Sequence, residues 1–408
     1  MFLEILLFFL LGLALGVVTG LIPGLHPNTM LVVILSFAWF LDGAPFYYSL
    51  ALVSAMAVSN TIVNFIPSIF VGAPEPSTSL SVVPGHRFLL EGRGYEALFL
   101  TVVGGVSVMI LTAVAFPFLL WFIPFVYSMV HTYIHWLLLA VLAGLVIQEK
   151  GARKVHALLF FAVAGFAGFM LLSTLPSRQV LFPALAGLFG LSFIITSMAH
   201  SVSLPRQRTK LPEQHKVIKG GVMGWLAGMF VCILPGIGSA QAGVMANTLL
   251  RGNDRDFLVA LGGINTANIM FTFIALHAIS KTRSGASAAI SEILGGLGIN
   301  ELYFITMIAL LSCFVSAVFT LWIGKKYLGF ITGMDYRTLN VLVLILMASL
   351  IIFFSGVTGL IVAALATVIG ASCAVAGIKR MYLMGFLMLP AMLYFSGLST
   401  GALFMLGL

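Results

Sequence analysis

Six clusters of small and polar residues interrupt a chain that is otherwise almost continuous hydrocarbon. Pro23-Gly24 is followed by LHPNT, carrying Asn28 and Thr29, and Pro235-Gly236 is followed by IGSAQAG, carrying Gly238 and Ser239. Proline removes a backbone donor and glycine admits positive φ, so a helix should break at each pair. A helix restarting there presents free N–H groups and the positive end of its dipole, a setting that favours an anion near Gly24 and Gly236. Two further segments are short and rich in hydroxyls: GAPEPSTSLSVVPG, with Ser77, Thr78 and Ser79, and HAISKTRSGASAAI, with Lys281, Arg283, Ser284 and Ser287. Hydroxyls and backbone N–H groups suit carboxylate or phosphate oxygens, and a cation at membrane depth marks a functional candidate. Lys281 and Arg283 also fit a plainer reading, interface residues with snorkelling stems. The remaining two clusters, SNTIVN and GINTANIM, place Asn60, Thr61 and Asn64 and then Asn265, Thr266 and Asn268 at helical spacing. Their oxygens suit Na⁺; equally, they suit hydrogen bonds between helices worth about 0.6 kcal/mol each.

The elements that must position these residues follow from composition. Of 408 residues, 61% are apolar and 8% charged, with a mean hydropathy of +1.15, against roughly 25% charged in an ordinary soluble domain. Disorder and a soluble globule are both excluded. At about 20 apolar residues per crossing the chain holds enough for roughly a dozen membrane helices. Continuous runs such as LEILLFFLLGLALGVV exclude the alternating strands of an outer-membrane barrel. The reading is an all-α polytopic membrane protein in the cytoplasmic membrane, with crossings near 46–66, 97–124, 132–148, 155–174, 180–198, 257–278, 299–323, 338–355, 357–376 and 382–406. Segments 5–41, 67–92, 218–250 and 281–297 read instead as re-entrant hairpins.

Net charge of +8 suggests an acidic partner, but the 20 Lys and Arg form no basic stripe, so nucleic acid is not expected. With the polar midpoint linker 200–217 placed in the cytoplasm, seventeen basic residues fall on its side and only Arg178, Lys281 and Arg283 opposite, the bias that fixes orientation. Both termini are then extracytoplasmic and each half has five crossings, so 1–199 and 218–408 read as two inverted repeats. The glycine strips support this: Gly12, Gly16, Gly20 and Gly24 are matched by Gly224, Gly228, Cys232 and Gly236, each strip ending in Pro-Gly. Small residues at every fourth position let another backbone approach closely. Cys232, Cys313 and Cys373 lie far apart, with neither disulfide nor zinc spacing. No metal site and no cofactor beyond a coupling Na⁺ is expected. Without a GxxxxGK[ST] loop an ATP-driven pump is not indicated, and no hydrolase or redox constellation points to an enzyme. Secondary transport of a small anion remains.

The same segments resemble the large membrane subunit of tripartite tricarboxylate transporters. GLIPGLHPNT and GMFVCILPGIGSAQAG are similar to that family's two Pro-Gly segments, and GINTANIM to its paired-asparagine region. PGHRFLLEGRGYEAL and PALAGLFGLSFI resemble two further runs, all five in the family's order. The resemblance implies an inverted-repeat transporter moving a di- or tricarboxylate with Na⁺ or H⁺, beside a small membrane subunit and an extracytoplasmic solute-binding protein. It leaves a homo-oligomer open. The second short hairpin carries KTRSGAS where a neutral, proline-containing loop is expected. That cationic loop suits a multiply charged anion or a lipid phosphate, which keeps a translocase of a phosphorylated lipid carrier as the alternative.

Overall fold

The computed structural model describes residues 2–22, 45–71, 82–198, 205–211, 217–234, 239–250, 252–331 and 336–399. In chain order the helices are α1 (Phe2–Leu21), α2 (Phe46–Val63), α3 (Phe65–Phe70), α4 (Val82–Leu90), α5 (Gly94–Val114), α6 (Phe116–Val130), α7 (Ile134–Ile147), α8 (Arg153–Thr174) and α9 (Ser177–Leu185). A π-turn at Ala186–Leu191 leads to α10 (Ser192–Met198). Then follow α11 (Ile218–Ile233), α12 (Ser239–Leu250), α13 (Asp254–Ile279), α14 (Gly285–Leu294), α15 (Ile299–Ile331), α16 (Tyr336–Val375) and α17 (Gly385–Phe395). Among the described residues nine helical spans are long and apolar enough to cross a membrane. The protein is an all-α polytopic membrane protein.

Proline and glycine set where the expected crossings divide. The run 97–124, read from sequence as one helix, is two: α5 stops at Val114 and α6 starts at Phe116, because Pro117 has no N–H to offer the carbonyl four residues back. Within α16 the backbone breaks at Gly356, with φ 65° and ψ −164°, between the two crossings expected at 338–355 and 357–376. At ten residues α14 is about 15 Å long, half the thickness of a bilayer's hydrocarbon core.

α2 and α13 are buried almost end to end, whereas α16 is largely exposed. Helices apolar all round are what a membrane bundle's core requires, and these two carry the Asn and Thr residues within that apolar length. Glycines bring the backbones together. A Cβ on Gly12 or Gly16 of α1 would collide with the Leu52 or Met56 carbonyl of α2; one on Gly220 or Gly224 of α11 would collide with the Asp256 or Ala260 carbonyl of α13. α5 crosses α13 at Gly104 and Gly262, where an added Cβ would overlap the Val259 and Thr101 carbonyls. A second cluster joins α8 to α17 through Gly168 and Gly385, and α16 to the π-turn through Gly187 and Gly370.

Candidate functional site

The two Asn/Thr clusters converge where α2 meets α13. Asn265 Nδ2 donates to the Thr61 carbonyl at 2.9 Å and to Asn64 Oδ1 at 3.3 Å. All three residues are buried. Asn64 closes α2, and Pro67 one turn later lacks the N–H that would satisfy Val63; this distortion separates α2 from α3 and turns oxygens toward α13. Asn60 Nδ2 donates to Thr19 Oγ1 of α1 at 3.1 Å, and Thr19 in turn donates to the Gly16 carbonyl at 3.1 Å. Thr266 Oγ1 is buried without a hydrogen-bond partner among the described residues, facing Gly105 of α5. Asn268 is half-buried on the same helix. A buried polar oxygen without a partner is costly. The seam is therefore rich in oxygens and incompletely satisfied.

The segment after α13 is built as a helix start. Ser284 and Ser287 form a reciprocal capping box at the N-terminus of α14. Ser287 Oγ also accepts the backbone N–H groups of Arg283 and Ser284, both at 3.0 Å. The Thr272 and Ser284 hydroxyls are hydrogen-bonded at 3.0 Å, and His277 Nδ1 reaches the Leu297 carbonyl at 2.8 Å, clipping α14 to α13. Arg283 is half-buried, its guanidinium carbon 5.7 Å from the Tyr127 ring centroid and its Nε buried without a partner among the described residues. Lys281 is exposed. Ser239, buried, opens α12. Gly24, Asn28, Thr29, Ser77, Thr78, Ser79, Gly236 and Gly238 lie outside the described residues, and so do both Pro-Gly pairs.

Three polar networks were not singled out from sequence, because each joins residues far apart in the chain. Glu96, almost fully buried, accepts from Arg93 Nε at 2.9 Å and pairs with Arg255 at 2.9 Å; beside it Arg87 pairs with Asp254 at 2.6 Å. These bonds tie α4 and α5 to the N-terminal end of α13. A cleft of about 640 Å³ opens there, lined by Arg93, Glu96, Arg208, Lys210 and Arg255 among others. Gln207 donates to the Leu89 carbonyl at 2.8 Å and accepts from Gly94 N–H at 3.1 Å, fastening the midpoint linker to the same corner. Elsewhere Glu149 binds Lys379 at 2.8 Å and the Tyr382 hydroxyl at 3.2 Å. Next to that pair, Arg380 Nη2 donates to Thr196 Oγ1 at 3.0 Å, and its guanidinium carbon lies 5.0 Å from the Phe193 ring centroid. Phe193 meets the His86 ring edge-on at 6.0 Å. Burial pulls the His86 imidazole below its usual pKa, partly opposed by a hydrogen bond to the Ile69 backbone.

Chemically, the seam can hold a small cation through amide, hydroxyl and carbonyl oxygens, and Arg283 can meet an anion. Among the described residues no three His, Cys, Asp or Glu side chains come together as a metal site.

A family model, that of the tripartite tricarboxylate transporter TctA family, matches residues 6–385. An uncharacterized protein of Methanocaldococcus jannaschii is 28% identical over 404 residues, covering 96% of this chain and 98% of its own length. No solved structure matches.

Proposed function

Because the chain belongs to the tripartite tricarboxylate transporter TctA family, a family of transporter components rather than enzymes, we propose that it moves a di- or tricarboxylate across the cytoplasmic membrane together with Na⁺ or H⁺. The observation that carries this reading is the buried bond from Asn265 to the Thr61 carbonyl and Asn64 Oδ1. An N–H donor held between two oxygens occupies the place a cation would take, and rotating the Asn265 amide would replace that donor with a third oxygen. With Asn60, Thr266 and Asn268, these residues form the coupling-ion site. To the anion we assign Arg283, Lys281, Ser284, Ser287 and Ser239, and, from the sequence alone, Ser77, Thr78, Ser79, Gly24, Asn28, Thr29, Gly236 and Gly238.

The two halves, 1–199 and 218–408 joined by linker 200–217, act as inverted repeats with both termini extracytoplasmic. The parallel glycine ladders support the pairing: α1 lies on α2 as α11 lies on α13, with glycine facing carbonyl at successive turns. In that correspondence Gly16 on Met56 matches Gly228 on Ile264, which sets Asn60 against Asn268. A small membrane subunit and an extracytoplasmic binding protein complete the system and deliver the substrate.

Thermal-shift screening of the purified chain against di- and tricarboxylates, inorganic phosphate and prenyl phosphates tests the substrate class. Stabilisation by carboxylates is expected, about 2.7 kcal/mol at a hundredfold excess over the dissociation constant. Stabilisation by prenyl phosphate alone would replace this reading with that of a lipid-carrier translocase.

A further inference from the structure

This inference rests on the carboxylate-transport reading. Among the described residues, two arginines have a buried Nε without a partner, Arg283 and Arg380. Neither forms an ion pair there, whereas Arg87, Arg93 and Arg255 each bind a carboxylate. Both stand over an aromatic ring, Arg283 over Tyr127 and Arg380 over Phe193. Cation–π contact, joined at Arg380 by one neutral hydrogen bond to Thr196, returns less than the desolvation of a guanidinium costs. Nε–H and the neighbouring Nη–H form the edge through which arginine grips a carboxylate bidentately, and in both residues the Nε–H of that edge has no partner among the described residues.

Their positions are related. Arg283 follows the C-terminal end of α13. Arg380 is linked through Phe193 to His86, whose chain neighbour Arg87 pairs with Asp254, the first residue of α13. Arg283 thus adjoins the C-terminal end of α13, and this relay of contacts joins Arg380 to its N-terminal end; the helix has 26 residues and is about 39 Å long, the depth of a bilayer. The geometry points to Arg380, with the Thr196 hydroxyl and the Phe193 ring, as a second carboxylate station at the far mouth of the path that Arg283 opens. A multiply charged anion leaving the first site meets a second unpaired guanidinium before it reaches water.

Arginine-selective modification by phenylglyoxal, mapped by mass spectrometry on the full chain in phosphatidylcholine nanodiscs, tests this with citrate as the probe. At citrate ten times its dissociation constant, modification of both Arg283 and Arg380 should slow about tenfold. Protection of Arg283 without Arg380 overturns the second station and leaves the transport reading standing; protection of neither overturns both. Protection of Arg380 by phosphatidylglycerol nanodiscs without citrate would identify a lipid-headgroup site and overturn the inference. Arg380→Met supplies an independent readout. Its melting temperature without citrate should equal or exceed that of the parent protein while the citrate-induced shift falls. A lowered melting temperature with an unchanged shift means that Arg380 is structural.

Discussion

Asn265→Ala separates a coupling-ion site from a helix-packing contact, because the two roles predict effects of different size. The change removes two hydrogen bonds from a buried amide, to the Thr61 carbonyl and Asn64 Oδ1. Between membrane helices these are worth about 0.6 kcal/mol each, and with the lost packing the destabilisation is about 1–2 kcal/mol. Against a total stability of at least about 5 kcal/mol, roughly 3 kcal/mol remain, so less than about 1% of the protein unfolds. Packing loss alone thus leaves uptake almost unchanged. Loss of an oxygen that meets an ion costs more, about 1.5–3 kcal/mol, which raises the half-saturating Na⁺ concentration about 10- to 150-fold. The assay is the initial rate of labelled citrate uptake into proteoliposomes against external Na⁺, with thermal unfolding measured on the same preparation. An unchanged half-saturating Na⁺ concentration, with uptake falling only in step with folded protein, would refute the ion-site reasoning.

Arg283→Ala should reduce the citrate-induced thermal shift while leaving the citrate-free melting temperature unchanged or higher, because no carboxylate among the described residues pairs with this guanidinium; equal losses of binding and stability would indicate a structural role. Gly262→Leu should prevent folding, read as loss of the monodisperse peak in size-exclusion chromatography, since even a Cβ there overlaps the Thr101 carbonyl and overpacking costs at least about 1–3 kcal/mol. Gly144→Ala, where nothing lies within 4 Å of the added Cβ, is the matched control. For His86 the folded state disfavours the proton, so as pH falls through the ordinary imidazole value of 6.5 the unfolded chain binds more protons than the native one. Melting temperature should fall as pH drops through that value and level off below the depressed native pKa, and His86→Phe should flatten the slope. An identical pH profile in the variant would show that His86 does not carry it.

The membrane class and most crossings were legible in the sequence because a run of about 20 apolar residues has few other uses. The Gly12–Gly16–Gly20 strip was legible as a close-packing face, and the structure sets it against α2. The Asn/Thr clusters were legible as a site or as helix-to-helix bonds, and the bond between Asn265 and Thr61 is what the two readings share. The division at Ala115 was signalled by Pro117 but obscured by the apolar residues on either side. Ser284 and Ser287 suit ligand hydroxyls by residue type, and their spacing is that of the capping box they form. Tyr127, Glu96 and Arg380 could not have been found by local pattern. Each acquires its meaning from a partner in a distant segment: Tyr127 from Arg283, Glu96 from Arg255, and Arg380 from Thr196 and Phe193.

The most direct test of the central claim is accumulation of labelled citrate by proteoliposomes containing the purified chain, under an imposed inward Na⁺ or proton gradient. Accumulation above the external concentration, lost when the gradient is dissipated, is the predicted result. Folded protein that accumulates no di- or tricarboxylate under either gradient, with the extracytoplasmic binding protein and small subunit supplied, would contradict it.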